Sequence, residues 1–202
     1  MMPSPTVAEL LPHEAEALGL LALMLFLQSR SGARRNLQGV FVPLSDQDTL
    51  LWDGAMIAEA ERLLFRAGEL GAIGRYQLEA AIQSVHGARR IRGVTDWKAI
   101  VTLYRALHRL TSSPVVAINL AVAVAEVDGA EAGLAVLPEL AGNAELMEFQ
   151  PYWAAKAALL SRAGSITEAA EAYGMAIGLE SDPAARDFLL AKRNEAISST
   201  AD

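Results

Sequence analysis

Residues 150–183 read QPYWAAKAALLSRAGSITEAAEAYGMAIGLESDP, and this stretch decides the fold of the chain. Two segments with apolar residues at helical spacing flank a short turn at Gly164, and Pro183 closes the second segment. Small residues alternate with bulky ones such as Trp153 and Tyr173. A small side chain on one helix lets a large side chain on its neighbour pack against the backbone. The stretch therefore predicts two closely packed antiparallel helices.

The pattern recurs at a fixed distance along the chain. Four residues return 69 positions later, since Trp97, Tyr104, Leu110 and Pro114 correspond to Ile166, Tyr173, Leu179 and Pro183. Gly129 and Gly164 lie 35 residues apart, so the long period is two units of about 34–35 residues, the length of one tetratricopeptide repeat. The stretch resembles that repeat family, with Trp153, Gly164, Ala169, Tyr173 and Ala176 in the signature positions.

The predicted fold is all-α, a right-handed solenoid of antiparallel helix pairs that resembles a tetratricopeptide array. Residues 73–202 are expected to form the repeats. Their predicted helices are Tyr76–His86, Asp96–Leu110, Pro114–Val127, Ala130–Leu140, the two helices of residues 150–183, and a capping helix at Pro183–Ile197. Because proline disrupts a helix interior, Pro138 predicts a short or kinked helix at Ala130–Leu140.

Residues 1–72 are expected to form a divergent helical part that packs on the array. We expect frayed residues at 1–5, helices at Thr6–Leu11 and His13–Arg30, a short extended piece within residues 37–42, and a helix from Ser45 to Leu70. The apolar run Ala17–Leu27 is too short to span a membrane, which takes about 20 residues, and therefore predicts a helix buried in protein.

The composition excludes several classes of function. The net charge of −7 argues against direct binding of DNA, because phosphate contacts need clustered basic residues. The absence of cysteine excludes disulfides, thiol catalysis and a cysteine zinc site, and it favours a cytoplasmic protein. An apolar content of 52% makes extensive disorder unexpected.

No motif of an enzyme is visible, and we expect no catalytic residue, metal site or cofactor. The histidines (His13, His86 and His108) have no second ligand at metal spacing. The acids Asp46, Asp48 and Asp53 suggest either a carboxylate site or helix capping, and capping at a positive helix N-terminus is the favoured interpretation. A second interpretation pairs Asp46 or Asp53 with Arg30 or Arg34, which would lock the divergent part onto the repeats.

The resemblance to tetratricopeptide repeats places a binding groove on the first helices of successive pairs. The implied lining residues are Val116, Asn119, Ala123 and Glu126 from one repeat, and Ala154, Ala158 and Arg162 from the next. Asn119 is the leading contact candidate because an amide both donates and accepts hydrogen bonds to a peptide backbone. The alternative is that Asn119 bonds the end of a neighbouring helix.

The part outside the repeats resembles a second family. The segments that carry the resemblance are GLLALMLFLQSR (Gly19–Arg30), PLSDQDTLLWDGAMIAEAERLL (Pro43–Leu64), YQLEAAI (Tyr76–Ile82), TDWKAIVTLYRAL (Thr95–Leu107) and SPVVAINLAVAVAEVDGAEAGLAVL (Ser113–Leu137). Their amino-acid sequences and their order along the chain resemble the carboxy-terminal extension of a subgroup of bacterial extracytoplasmic-function sigma factors. The resemblance covers nearly the whole chain, and the sigma domains themselves are absent from it.

This resemblance implies a regulatory protein-interaction domain that modulates transcription initiation. The implied partners are the protein's own sigma domains, RNA polymerase or a regulator, with no membrane partner. Candidate contact residues are Asn119, Glu126, Arg162, Val116, Arg30, Asp46 and Asp53. The alternative is a free-standing tetratricopeptide scaffold that binds an unrelated peptide or protein. Open apolar ends of the array and the Ala17–Leu27 helix also favour a homodimer.

Overall fold

The computed structural model describes residues 14–137 and 144–198, and within these residues every regular element is a helix. The α-helices are α1 (Ala15–Ser29), α2 (Gly54–Glu69), α3 (Arg75–Gly87), α4 (Arg89–Arg92), α5 (Trp97–Thr111), α6 (Pro114–Asp128), α7 (Ala130–Val136), α8 (Ala144–Met147), α9 (Gln150–Arg162), α10 (Ile166–Leu179) and α11 (Pro183–Ser198). Short 3₁₀ turns occupy Ser31–Ala33, Leu44–Asp46 and Thr49–Leu51. The all-α prediction is confirmed. The predictions for residues 1–5, for Thr6–Leu11 and for Pro138 lie outside the described residues.

The chain divides into two compact units. The first contains the residues up to Arg34 together with Val42–Thr111, and the second contains Arg35–Phe41 and the residues from Ser112 onward. The predicted boundary between residues 72 and 73 falls inside the first unit. The division instead separates α5 from α6, at the point where Ser112 has a positive φ of 48°.

In the first unit, α1 packs against both α2 and α3, and α3 packs against α5. Leu18, Ala22 and Phe26 of α1 are buried against Ala60, Leu63 and Ala80. The close approach of α1 and α3 requires a glycine, because a Cβ on Gly19 would lie 2.8 Å from the backbone nitrogen of Gln77. The pairing of α3 with α5 is the one that the sequence predicted.

The second unit contains two helix pairs, α6 with α7 and α9 with α10, and α11 packs on α10. Gly129 and Gly164 make the turns inside these pairs with φ values of 93° and 81°, a region that favours glycine. Buried alanines such as Ala157 and Ala169 pack with Tyr173, as the alternation of small and large residues predicted. The second pair contacts the first because α9 packs against both α6 and α7.

The 69-residue period of the sequence is also the spacing between helix starts. Trp97 and Ile166 begin α5 and α10, and Pro114 and Pro183 begin α6 and α11. The proline at the first position of α6 and α11 has the φ angle that a helix needs, and it lacks only an N–H that would have no partner there. The repeat in the sequence therefore sets where these helices begin.

Two predictions for residues 37–53 are wrong. The helix expected from Ser45 begins only at Gly54. Gln47, with an extended ψ of 133°, separates two 3₁₀ turns, and Trp52, with a ψ of 135°, separates the second turn from α2. The extended piece at residues 37–42 is reduced to an isolated bridge between Arg35 and Phe41. A hydrogen bond from the Asp53 amide to the Ser29 carbonyl oxygen (2.9 Å) holds the 3₁₀ segment against the end of α1.

Candidate interaction surfaces

Two arginines lie over the ring of Trp52 in the first unit. The guanidinium carbons of Arg30 and Arg89 are 5.8 and 5.0 Å from the centre of the indole ring. Trp52 is 3% exposed, and Arg30 is 7% exposed. Each guanidinium therefore has an aromatic face as its neighbour, an arrangement stabilised by cation–π attraction. Trp52 is therefore a core residue of the first unit.

Arg89 explains why residues 44–53 are not an α-helix. Its Nη1 donates to the Ser45 carbonyl oxygen and its Nη2 to the Gln47 carbonyl oxygen, both at 2.9 Å. In an α-helix these carbonyls would accept from backbone amides one turn later. The Arg89 guanidinium replaces those amides as the hydrogen-bond donor. A side chain from α4 thus determines the backbone conformation of this segment. No local pattern indicates this role of Arg89, because it lies 42 and 44 residues away from Gln47 and Ser45 in the sequence.

Arg30 is a buried cation without a carboxylate partner. Its Nη2 donates to Oε1 of Gln83 at 2.5 Å, and no ion pair of Arg30 exists within residues 14–137 and 144–198. Burial, together with the positive charges of Arg34 and Arg89, lowers the pKa of Arg30 to about 10. Arg30 therefore remains protonated at neutral pH, and its position beneath Trp52 gives it a structural role.

The aspartates of this segment act mainly as helix caps. Oδ1 of Asp53 accepts from the amides of Ala55 and Met56 at 2.9 and 3.0 Å, and Oδ1 of Asp48 accepts from the Leu50 amide at 2.9 Å. The predicted pairing of Asp46 or Asp53 with Arg30 or Arg34 is not found among the described ion pairs. Arg34 instead donates to the Leu27 carbonyl oxygen at 3.0 Å. Asp46 is exposed.

His86 adds a neutral ring to the same region. Its imidazole packs edge-on against Trp97 with ring centres 5.6 Å apart. Burial, then the charges of Arg30 and Arg89, lowers the pKa of His86 to about 4. The ring is therefore uncharged at neutral pH, and a proton would add a further positive charge beside two arginines.

In the second unit, the structure joins two of the predicted groove residues. Nη1 of Arg162 on α9 contacts Oε1 of Glu126 on α6 at 2.5 Å, and its Nη2 donates to the Ala125 carbonyl oxygen at 3.1 Å. Asn119 is exposed on α6, and its side chain makes no hydrogen bond within the described residues. The alternative in which Asn119 bonds a neighbouring helix end is therefore not found there.

Two other residues assigned to the groove are interior. Val116 is 8% exposed and Ala123 is 1% exposed, so neither side chain is open to a partner. Both lie on α6, which is apolar around most of its circumference and is consequently buried on more than one side. Ala158 is exposed and Ala154 is half-buried. The surface defined by Asn119, Glu126, Ala158 and Arg162 is called the α6–α9 surface below.

Two clefts border helices α9 and α10. One of about 730 Å³ is lined by Trp153, Lys156, Leu160, Glu168, Glu171, Ala172, Gly174 and Met175. A second of about 360 Å³ is lined by Ala158, Ser161, Arg162, Tyr173, Lys192, Glu195 and Ala196. Arg162 and Ala158 thus belong to the α6–α9 surface and to the smaller cleft. The larger cleft was not predicted from the sequence. One of its lining residues, Lys156, occupies a position where the tetratricopeptide pattern usually has leucine.

Residues 35–41 hold a contact that the sequence did not predict. Nη2 of Arg35 pairs with Oδ2 of Asp182 at 2.6 Å, and the rings of Phe41 and Phe188 meet edge-on at 5.6 Å. Backbone amides at the start of α11, then the Arg35 guanidinium, hold the pKa of Asp182 below its usual range. Residues 147 positions apart in the chain form the pair, so no local pattern indicates it.

Among the described residues, no group of three metal-binding side chains is present. His86 is half-buried against Trp97, and His108 has a buried Nδ1 atom that lacks a hydrogen-bond partner there. His13 lies outside the described residues. No helix in the described part of the chain combines the length and the apolar character needed to cross a bilayer.

Comparison with known proteins adds two similarities. Residues 2–68 match a family described as a family of unknown function, DUF6596. The chain is 40% identical over 176 residues to a protein from Rhizobium meliloti (strain 1021) named "Uncharacterized protein R00370". The alignment covers 87% of this chain and 41% of that relative, so the chain spans about two-fifths of the relative's length. No solved structure matches the chain.

Proposed function

We propose that the chain is a regulatory protein-interaction region that works as the tetratricopeptide-like extension of a sigma factor. The observation that carries the proposal is the packing of α9 against both helices of the preceding pair. Successive pairs stacked in this way bring their first helices side by side, as in tetratricopeptide arrays. The first helices α6 and α9 then present the α6–α9 surface to a partner protein.

The charge distribution supports peptide or protein binding at the α6–α9 surface. Glu126 and Arg162 are partly exposed, with side-chain exposures of 31% and 45%. Both side chains can therefore form hydrogen bonds with a partner in addition to the bond that joins them. The exposed amide of Asn119 adds a donor and an acceptor on α6. Small residues such as Ala158 leave room for an incoming backbone.

The link to a sigma factor rests on the resemblance of Gly19–Arg30 and Pro43–Leu64 to the extensions of that family. The length of the Rhizobium meliloti relative is compatible with it, because 59% of that protein lies outside the 41% that aligns. Its name, "Uncharacterized protein R00370", assigns no activity. In this proposal the partners are the sigma domains, RNA polymerase or a regulator, the location is cytoplasmic, and the chain performs no catalysis.

A binding experiment in trans tests the proposal. The non-aligned part of the Rhizobium meliloti relative and purified bacterial RNA polymerase are each titrated against the folded chain by calorimetry. We expect saturable binding to at least one of them. The double variant N119A/R162E should weaken binding at least about tenfold, the scale of a central interface contact. Arg66→Glu, an exposed change on α2, serves as the control and should leave the affinity within about twofold.

Absence of binding to both targets by a chain that melts cooperatively would overturn the proposal.

The second candidate is a free-standing scaffold for an unrelated peptide, and the 730 Å³ cleft at Trp153 and Lys156 favours it. That cleft has an apolar floor and charges of both signs, the combination that orients a peptide. Binding of sigma-related targets that survives N119A/R162E but is lost on Trp153→Ala would place the contact in this cleft.

A further inference from the structure

Three short elements of the first unit lie together, and two of them, the turn Thr49–Leu51 and helix α4, expose large apolar side chains. The turn Thr49–Leu51 contacts both the turn Ser31–Ala33 and helix α4. Leu50 and Ile91 are 82% and 88% exposed, and Leu51 is 58% exposed. Scattered exposed leucines are ordinary, whereas large apolar side chains gathered on adjoining elements mark a contact site.

Arginines lie on or directly next to the same short elements. Arg34 follows the first turn, and Arg90 and Arg92 belong to α4, and all three are exposed. None of the three forms an ion pair within the described ranges. The Leu50–Ile91 surface is defined by Leu50, Leu51, Ile91, Arg34, Arg90 and Arg92.

The local charge is opposite to that of the whole chain. Residues 30–34, 44–54 and 89–92 carry five arginines and three aspartates, whereas the net charge of the chain is −7. Two of the aspartates, Asp48 and Asp53, direct an oxygen to backbone amides of helix starts. The third, Asp46, is exposed. Arg30 and Arg89 add positive charge beneath the surface, and neither pairs with a carboxylate among the described residues.

The surface is held in place before any partner binds. Arg89 fixes the carbonyls of Ser45 and Gln47, and the buried Trp52 anchors the end of the Thr49–Leu51 turn. The backbone that carries Leu50 and Leu51 is therefore fixed before a partner binds, which lowers the entropy that binding must overcome.

We propose that the Leu50–Ile91 surface docks an acidic segment of a partner protein that carries leucine-like side chains beside its carboxylates. Apolar side chains of the segment cover Leu50, Leu51 and Ile91, and its carboxylates meet Arg34, Arg90 and Arg92. The charge complementarity selects an acidic occupant and accelerates its association. The inference rests on the proposed function only in that the chain binds proteins. The residues of the Leu50–Ile91 surface differ from those of the α6–α9 surface.

The test uses two fluorescein-labelled 16-residue probes, one built of Glu, Leu and Ala and one with Lys at every Glu position. Fluorescence anisotropy is measured with the full chain at low salt. The Glu peptide should bind saturably, and the Lys peptide should bind at least about tenfold more weakly. Raising the ionic strength from about 0.05 M to about 0.5 M should weaken the Glu peptide severalfold because exposed charges are screened.

Matched variants locate the site. The double variant L50S/I91S and the single variant R92E should each weaken binding of the Glu peptide at least about fivefold. Leu37→Ser removes a leucine that is fully exposed elsewhere, and Arg66→Glu reverses an exposed arginine of α2, so both should leave the affinity within about twofold. Circular dichroism melts establish that every variant is folded.

Three results would overturn the inference: no binding of the Glu peptide, equal binding of both peptides, or equal losses in the site and control variants. A concentration-dependent dimer by light scattering that L50S/I91S dissolves would also overturn it, since the occupant would then be a second copy. Because N119A/R162E tests the proposed function on the other surface, each proposal can fail while the other stands.

Discussion

The two units reach their structures by different means. In the second unit, glycine turns and alternating alanines and aromatics place helices at the positions that the periodicity predicts. In the first unit, the segment before Trp52 has apolar residues at helical spacing. The Arg89 side chain nevertheless donates hydrogen bonds to its backbone carbonyls, and two 3₁₀ turns form in place of the helix. Periodicity is therefore a reliable guide where backbone groups bond locally, and it fails where a distant side chain supplies the partner.

The first unit also contains an arrangement that is not found in the described part of the second unit. A buried arginine without a carboxylate is costly, because burial removes water from the charge. The indole of Trp52 and the amide of Gln83 offset part of that cost for Arg30. The predictions below test whether this polar cluster or the ordinary apolar packing of both units controls stability.

The largest effect is expected for Trp52→Ala. The change leaves a cavity at a core position and removes the cation–π contacts with Arg30 and Arg89, so the free energy of unfolding should fall by about 3–5 kcal/mol. Urea denaturation followed by circular dichroism measures it. Leu50→Ala, two residues away and 82% exposed, is the control and should stay within about 0.5 kcal/mol of wild type. A loss at Trp52 below about 1 kcal/mol would show that the cluster is peripheral to stability.

The next effect is a pH dependence caused by His86. The pKa of His86 is about 4 in the folded chain, below the value of about 6.5 expected when unfolded. Its contribution to stability is therefore complete above pH 6.5 and is lost as pH falls towards 4, by up to about 3 kcal/mol.

The measurement is the difference in urea stability between wild type and His86→Phe at several pH values. The phenylalanine ring preserves an aromatic neighbour for Trp97 and cannot titrate. We expect the variant to lose less stability than wild type between pH 6.5 and pH 4. Parallel losses in the two proteins would contradict a neutral, buried His86.

Substitutions of two glycines, one in each unit, test how much close helix packing contributes to stability. A Cβ at Gly19 would lie 2.8 Å from the Gln77 amide nitrogen, and one at Gly133 would lie 2.8 Å from the Ala121 carbonyl oxygen. Because backbone atoms cannot move aside cheaply, Gly19→Ala and Gly133→Ala should each destabilise by about 1–3 kcal/mol.

Their control is Gly174→Ala, also inside a helix, where an added Cβ meets nothing within 4 Å. Alanine is the better helix former, so this change should stabilise by about 0.5–1 kcal/mol. Thermal melts of the three variants provide the ranking. Stabilisation by alanine at position 19 or 133 would mean that the helices can separate without loss.

The smallest effect concerns Glu126 and Arg162. Both side chains are partly exposed, so their ion pair should contribute less than about 1 kcal/mol in a double-mutant cycle. The cycle uses E126Q, R162M and the double variant. Screening predicts a further decrease at high salt. A coupling well above 1 kcal/mol would show that the pair fixes the first helices of the second unit rather than remaining available to a partner.

Most of the helices could be predicted from the sequence alone. The starts at Pro114 and Pro183, the turns at Gly129 and Gly164, and the pairing of α3 with α5 all follow from local chemistry and spacing. Several parts of the candidate sites could not be predicted. Val116 and Ala123 were assigned to an open groove by their places in the repeat, whereas the neighbouring helices of the second unit cover α6 on several sides and make both residues interior.

The sequence by itself determined an all-helical chain and the 69-residue spacing of helix starts. These features depend on residues close together in the chain, whose propensities and turn chemistry act locally. Only the tertiary structure decided which side chains surround Trp52, why the helix begins at Gly54 rather than Ser45, and which residues remain exposed at Leu50 and Ile91. Those outcomes depend on Arg89 and on contacts between distant segments, which no local pattern encodes.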